Sequence, residues 1–259
     1  MNVDAAIRRT DGGALIGYLP VGFPDLQTSI DAAVALVENG VDAIELGLPY
    51  SDPVMDGLAI QKATQQALAN GFRTRDVFTA VESVRSRVDA PVLVMTYWNP
   101  VVQYGVAKFA DQLRDAGGAG LITPDITPDS AAEWIAESDR TGLDRVFLAA
   151  PTSSDARLSD VVATSRGFVY TVSTMGITGA RADLDANARA LVSRLRDAGA
   201  TGPDTISACV GIGISTADQV AEVLTYADGA IVGSVLVTAL AEGGVSGVAR
   251  VASELSQGK

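Results

Sequence analysis

Short apolar segments alternate with helix-like segments along the whole chain. Strands are predicted at residues 14–19, 43–46, 91–96, 120–122, 145–148, 168–172, 206–210 and 229–232. Helices are predicted at residues 25–39, 57–70, 74–88, 106–116, 130–141, 156–163, 186–198 and 216–226, with further helix towards the C-terminus. Strands that are apolar throughout are buried on both faces, as in a parallel sheet. About eight βα units in 259 residues predict one (β/α)8 TIM-barrel domain over residues 1–259 with extra helices, and a doubly wound open sheet is the alternative.

Composition narrows the possible partners. The net charge of −12 argues against nucleic acid, so any phosphate site has to be local and built from backbone N–H groups. No apolar run reaches 18 residues and the first residues lack a signal-peptide core, so we expect no membrane span. Cys209 is the only cysteine, which excludes an intrachain disulfide and favours a cytoplasmic location.

Two further features of the composition limit the chemistry. The chain has no histidine, which removes the commonest general base, histidine-dependent nucleophiles and histidine metal sites. Its three lysines, Lys62, Lys108 and Lys259, fall in predicted helices or at the last residue, away from the strand ends where a Schiff-base lysine would have to lie. Carboxylates remain for proton transfer, and neither a metal nor a cofactor is expected.

One carboxylate lies inside a predicted strand. Glu45 interrupts the apolar segment 43–46, and the Pro- and Gly-rich loop that follows carries Asp52 and Asp56. Burial raises the pKa of a carboxyl group, and a raised pKa suits a general acid or base at neutral pH. A structural glutamate in a satisfied hydrogen-bond network is the competing interpretation, and this stretch alone does not separate the two.

The last two strands lead into loops typical of a phosphate site. Gly211 and Gly213 follow the seventh strand, and Gly233 and Ser234 open a helix after the eighth. Glycine lets the backbone approach an anion closely, and the N–H groups of a helix N-terminus bind it. The alternative is that these glycines only make tight turns.

Other strand ends offer a lid and a pocket. The loop at residues 173–179 is either a mobile lid with glycine hinges or a long ordered turn. Asp125 is expected to be a structural cap, not a catalyst. Apolar and aromatic residues at the strand ends either line a pocket or belong to the barrel core, namely Tyr18, Leu48, Tyr97, Ile122 and Tyr170.

Several separated motifs, in order along the chain, resemble the α subunit family of tryptophan synthase. They are the segments at residues 44–47, 51–57, 95–99, 176–179, 211–215 and 233–234. The resemblance implies a (β/α)8 lyase that cleaves indole-3-glycerol phosphate to indole and glyceraldehyde 3-phosphate by retro-aldol chemistry, in tryptophan biosynthesis. It implies no metal and no Schiff base.

The resemblance also implies roles for individual residues. Glu45 matches the general acid/base of the family and Asp56 its catalytic aspartate. Thr178 matches a threonine of the lid that closes over Asp56, and Tyr170 matches a tyrosine of the site. The residues expected to hold the phosphate through backbone N–H groups are Gly179, Gly211, Gly213, Gly233 and Ser234.

The chain departs from the family in the expected indole pocket. Tyr18 and Pro20 stand where many members have Phe and Thr, and Pro124 stands where a smaller residue is common. None of these changes removes a catalytic group, so they affect the pocket and not the reaction.

The family normally works as an αββα complex with a β subunit that carries pyridoxal phosphate. The resemblance therefore implies a β-subunit partner and weak activity of the isolated chain, because its loops need the partner to close. Three alternatives stay open: a lyase that acts without a partner, a catalytically inactive regulatory subunit, and another phosphate-binding barrel such as a sugar-phosphate isomerase.

Overall fold

The computed structural model describes residues 3–10, 12–172, 181–200, 205–211 and 213–259. Within them, parallel strand segments form one sheet in the order β5-β4-β3-β2-β1-β9-β8-β7-β6. The segments are β1 Ala14–Pro20, β2 Ala43–Gly47, β3 Val92–Met95, β4 Gly120–Ile122, β5 Asp144–Val146, β6 Leu148–Ala149, β7 Phe168–Val172, β8 Ser207–Gly211 and β9 Gly229–Val232.

The sheet closes through the fifth predicted strand. A continuous strand was predicted at residues 145–148, but the structure divides it in two. The first part, β5, pairs with β4, and the second part, β6, pairs with β7. Phe147 alone separates the two halves, and its carbonyl accepts a 3.0 Å hydrogen bond from the amide of Tyr170. Neighbouring segments are consecutive all the way round, without the reversal of strand order that marks a doubly wound sheet. The predicted eightfold barrel is confirmed.

Helices surround the barrel. They are α1 Val3–Arg8, α2 Leu26–Glu38, α3 Leu58–Ala69, α4 Arg75–Arg85, α5 Trp98–Tyr104, α6 Val106–Asp115, α7 Ala132–Thr141, α8 Asp155–Thr164, α9 Arg181–Asp197, α10 Ala217–Leu224 and α11 Ser234–Ser256, with a 3-10 turn at Pro128–Ser130. The extra helix between the second and third strands was predicted, but α1 and α5 were not. The 3-10 turn explains why α7 begins two residues later than predicted.

Local signals explain several helix starts. The Asp25 side chain accepts a 2.8 Å hydrogen bond from the amide of Thr28 at the N-cap of α2. Thr216 and Gln219 form a capping box at the start of α10. Asp125 accepts the amide of Trp98 with both oxygens, at 2.9 and 3.0 Å, which confirms the structural cap predicted for it.

Side chains fill the interior of the barrel, and α1 packs against them. Phe168 and Cys209 pack inside the barrel together with Val3 and Ile7 of α1. The amide of Val3 donates to the carboxylate of buried Asp144 at 3.4 Å, which ties α1 to the start of β5. The opposite, carboxyl end of the strands is the end where barrels of this kind build their sites.

Helix α11 is long and apolar enough to cross a membrane, and it is the one such helix among the described residues. Length and composition alone are weak evidence for a span. Gly244 has non-helical backbone angles and divides the helix, and Leu236, Val237 and Leu240 are buried in the barrel core. Its apolar character is therefore explained by packing against the barrel.

Gly120 tests the packing of β4 against β5. A Cβ atom added at Gly120 would lie 2.7 Å from the Cβ of Asp144, its register partner, and would also meet the Asp144 backbone. We expect Gly120→Ala to lower the free energy of unfolding by about 1–3 kcal/mol, measured by urea denaturation. Gly243→Ala is the control, since no atom lies within 4 Å of a Cβ added there. Equal stability of the two variants would contradict this account.

Candidate active site

The carboxyl group of Glu45 lies in the barrel interior, where no described residue bonds to it. Glu45 is 0% exposed, and neither carboxyl oxygen has a hydrogen-bond partner within the described part of the chain. Loss of hydration raises the pKa of this carboxyl to about 8. The competing interpretation of Glu45 required a hydrogen-bond network, and the described residues do not supply one. A carboxyl group with such a pKa is protonated at neutral pH and is able to give up a proton and take it back.

Two tyrosines flank Glu45. Tyr18 is its register partner on β1, and Tyr170 lies across the barrel on β7. Burial raises the pKa of both phenols, and the charge of Glu45 raises each further, so both stay protonated. Each hydroxyl lies against a glycine at a strand end: a Cβ added at Gly47 would collide with the Tyr18 hydroxyl, and one at Gly211 with the Tyr170 hydroxyl. Glycine is therefore required at both positions to seat the phenols.

Asp56 lies in the loop between β2 and α3. It is half-buried, and the hydroxyl of Tyr97 donates a 3.1 Å hydrogen bond to its Oδ1 atom. Burial raises the pKa of the Asp56 carboxyl, and the bond from Tyr97 partly offsets that rise. The side chain of Gln61 donates to the Asp56 carbonyl at 2.7 Å and helps fix the loop. Asp52, the other carboxylate of this loop, is exposed and accepts a hydrogen bond from Ser51.

Sequence reasoning gave Tyr97 only a place in a pocket lining. The structure gives it a closer connection to the site, because its hydroxyl also accepts the amides of Val54 and Met55 at 3.0 and 2.9 Å. The signal in the sequence was its position just after a strand that ends at the same edge of the barrel as β2. Leu48 and Ile122 are buried in the two core clusters.

The expected phosphate residues lie on neighbouring strand ends. Gly211 ends β8, and Gly233 and Ser234 follow β9 and open α11. Gly213 is exposed, with φ of +86°, a conformation that favours glycine. No described side chain caps the N-terminus of α11, and the helix dipole favours an anion there.

Contacts tie this region to the rest of the site. A Cβ added at Gly233 would lie 3.4 Å from Tyr18, and one at Gly57 would lie 3.6 Å from the Ser234 hydroxyl. Gly233 after the last strand, Glu45 and the Asp56 loop therefore meet around Tyr18, whereas Gly211 lies against Tyr170.

Thr178 and Gly179, together with the rest of the predicted lid, lie outside the described residues. Pro20 is the buried last residue of β1, and Pro124 is partly exposed after β4, so both stand at the strand ends as expected. Among the residues that are described, no three or more His, Cys, Asp or Glu side chains form a group able to hold a metal ion.

Glu45 makes stability depend on pH. Its pKa is about 8 in the folded protein, against an ordinary value of 4.5. Between those values the folded state keeps a proton that the unfolded chain has released, so the free energy of unfolding falls as pH rises. Glu45→Gln removes this dependence. We expect the variant to gain stability over the wild type steadily from about pH 5 to about pH 8, measured by urea denaturation.

An exposed glutamate provides the control. Glu82→Gln removes a carboxyl at the surface and should show a difference from wild type that changes little over the same range. A Glu45→Gln difference that is also constant with pH would show that Glu45 is ionised at neutral pH in the folded protein.

Comparison with known proteins identifies the family. The family described as "Tryptophan synthase alpha chain" matches residues 5–257. The tryptophan synthase alpha chain of Leifsonia xyli subsp. xyli is 72% identical over 246 residues, which cover 95% of this chain and 92% of that protein. That of Mycobacterium avium is 52% identical over 253 residues, which cover 98% and 91%.

Comparison with solved structures indicates the same family. Tryptophan synthase of Mycobacterium tuberculosis superposes with a TM-score of 0.90 at 49% identity, covering 99% of this chain and 96% of that one. The tryptophan synthase complex of Pyrococcus furiosus gives a TM-score of 0.84 at 33% identity, covering 95% and 97%. The chain therefore belongs to the tryptophan synthase alpha chain family, the lyases of tryptophan biosynthesis that cleave indole-3-glycerol phosphate to indole and glyceraldehyde 3-phosphate.

Proposed function

We propose that Glu45 and Asp56 carry out this cleavage, with Glu45 as the general acid and base. The observation that carries the proposal is the buried carboxyl of Glu45, which has no hydrogen-bond partner in the described part of the chain and whose pKa is about 8. Such a group holds a proton at neutral pH in a place from which bulk water is excluded. It is able to deliver that proton to the substrate without competition from solvent.

The cleavage needs one proton delivered and one removed. Protonation of indole C3 gives an indolenine cation, which accepts the electron pair of the bond between C3 and the glycerol chain when that bond breaks. The chain hydroxyl loses its proton and becomes the aldehyde of glyceraldehyde 3-phosphate, while indole leaves. Glu45 gives the first proton and, as the carboxylate, takes the second, so the cycle returns it to its starting state.

Asp56 has the complementary task. Positive charge develops at the indole N–H when C3 is protonated, and a fixed carboxylate near that group stabilises it. The hydroxyl of Tyr97 donates to the Asp56 carboxylate and so favours its ionised form. In the proposed mechanism Glu45 therefore acts as the carboxyl that holds a proton, and Asp56 acts as the carboxylate.

The protein binds the substrate through its phosphate group. We assign it to backbone N–H groups of Gly179, Gly211, Gly213 and Gly233 and to Ser234, with Thr178 helping to close the site over Asp56. Support comes from the uncapped N-terminus of α11 and from the contact between Gly233 and Tyr18. Tyr18 and Tyr170 would line the indole pocket, and binding of the distant phosphate would fix the reacting bond against Glu45.

The partner is a tryptophan synthase β subunit, in an αββα heterotetramer in the cytoplasm. Support comes from an apolar surface beside the site, which we call the loop patch: Val54 is 81% exposed, Met55 36%, Leu58 67% and Val102 46%. Val54, Met55 and Leu58 are close together in the sequence, and Val102 is on α5, which follows the neighbouring strand β3. Exposed apolar side chains that lie close together are typical of protein interfaces. The solved relative of Pyrococcus furiosus is a tryptophan synthase complex.

Indole release from indole-3-glycerol phosphate tests the catalytic roles. We expect Glu45→Gln to lower kcat by about 10²–10⁴-fold and Asp56→Asn by about 10²–10³-fold, with and without β subunit. Asp52→Asn, in the same loop but exposed, is the matched control and should retain activity. A wild type that is inert yet accelerates the β reaction would identify a regulatory subunit. Equal turnover with and without β subunit would identify a lyase that acts alone.

A charge in the loop patch tests the partner surface. We expect Val102→Glu to weaken binding of the β subunit by at least about tenfold, measured by isothermal titration calorimetry, because the carboxylate would have to lose its hydration on docking. Thr225→Glu adds the same charge after α10 and should leave binding unchanged. Unchanged affinity of Val102→Glu would place the interface elsewhere.

A further inference from the structure

We propose that Tyr97 is a positioning residue for the cleavage reaction, whose hydroxyl holds the Asp56 carboxylate ionised and fixed in direction. The inference rests on the role proposed above for Asp56. Tyr97 acts through that carboxylate and has no chemical step of its own. The loop that carries Asp56 and the segment that carries Tyr97 follow neighbouring strands, β2 and β3.

The hydrogen-bonding capacity of the Tyr97 hydroxyl is fully used. A phenol has one O–H donor and two acceptor lone pairs. The amides of Val54 and Met55 occupy the two acceptor positions, at 3.0 and 2.9 Å, and the O–H group donates to Oδ1 of Asp56 at 3.1 Å. Because an amide can only donate, the two backbone bonds leave the phenol no orientation except one in which its proton points at Asp56.

This orientation selects the protonation state of Asp56. A donor aimed at Oδ1 is satisfied by a carboxylate, whereas a proton on that same oxygen would oppose it. The arrangement therefore favours the charged form, and a hydrogen bond to a charged acceptor is stronger than one between neutral groups. Burial raises the pKa of the Tyr97 hydroxyl to about 12, so the donor keeps its proton at neutral pH.

The surroundings of Asp56 disfavour its ionised form, and the hydrogen bond from Tyr97 opposes this effect. Burial raises the pKa of the carboxyl, and within the described residues the bond from Tyr97 is the interaction that lowers it. The other described groups whose charges reach Asp56 are the phenols of Tyr18 on β1 and Tyr170 on β7, which bring no positive charge. Without Tyr97 the desolvated Asp56 carboxylate would lose the hydrogen bond that, among the described residues, favours its ionised form.

Tyr97 is itself held rigidly. Its ring is 5% exposed and lies 5.4 Å from the ring of Tyr50, centroid to centroid. It immediately precedes α5, whose first amide, that of Trp98, is bound by both oxygens of Asp125. A donor fixed by its ring and by the backbone next to it costs little entropy when it orients another group.

Tyr97→Phe tests the inference, with Tyr104→Phe as the matched control. The first variant keeps the ring and loses only the hydroxyl. The control loses a hydroxyl at the other end of α5, where it donates to Gln112. For Tyr97→Phe we expect kcat/KM at pH 7 to fall about 10- to 100-fold, and the acid limb of the pH profile to move to higher pH because the pKa of Asp56 rises. Tyr104→Phe should change neither.

Two further measurements separate this inference from the role of Asp56. Carbon-13 NMR of the Asp56 carboxyl should show a higher pKa in Tyr97→Phe than in the wild type, independently of activity. In an Asp56→Asn background, Tyr97→Phe should cost less than about twofold, because both act through one carboxylate. An unmoved acid limb and an unmoved NMR titration would overturn the inference even if the rate fell. Full activity of Asp56→Asn alone would instead overturn the proposed role of Asp56.

Discussion

The site depends on one carboxyl group that is buried in a barrel strand and has no hydrogen-bond partner among the residues that the structure describes. Glu45 occupies a position that an apolar residue would fill at no electrostatic cost, and its ionised form is strongly disfavoured there. The barrel tolerates the group because burial raises its pKa to about 8 and so keeps it protonated at neutral pH. Tyr18 and Tyr170 present weakly acidic hydroxyls instead of cations, and both phenols are seated by glycines at strand ends.

Asp56 shows the opposite solution to the same problem. It too is partly withdrawn from water, but the hydroxyl of Tyr97 donates a hydrogen bond to it, whereas no described residue donates to the carboxyl of Glu45. On the roles proposed above, two carboxyl groups of similar intrinsic acidity serve as acid and as carboxylate because their surroundings differ: burial raises the pKa of both, and the hydrogen bond from Tyr97 opposes that rise at Asp56. The separation needs no histidine, and the sequence contains none.

Features of the fold and of the site that depend on neighbouring residues in the sequence could be predicted. Features that depend on contacts between distant residues could not. The alternation of strands and helices is local, and it was sufficient for the barrel. The position of Glu45 in an apolar segment was likewise visible as an anomaly. The break at Phe147 was not, because it arises where the fifth strand exchanges one neighbour for the next on closing the barrel. Helix α1 was missed because its six residues owe their place to packing inside the barrel and to Asp144 on a distant strand.

The part that Tyr97 plays in the site was also not predictable from the sequence. Its hydroxyl bonds to residues more than forty positions away in the chain. Its hydroxyl binds the backbone of the two exposed residues, Val54 and Met55, and the buried face of the same loop carries Asp56. A β subunit that docks on the loop patch, as proposed above, would contact the loop whose amides orient the phenol. Among the described residues the bond from Tyr97 is the hydrogen bond that favours ionised Asp56, so a displacement of this loop would alter its direction. On these proposals docking and catalysis share one hydrogen-bonded group, and a partner that holds the loop would raise activity without any rearrangement of the barrel itself.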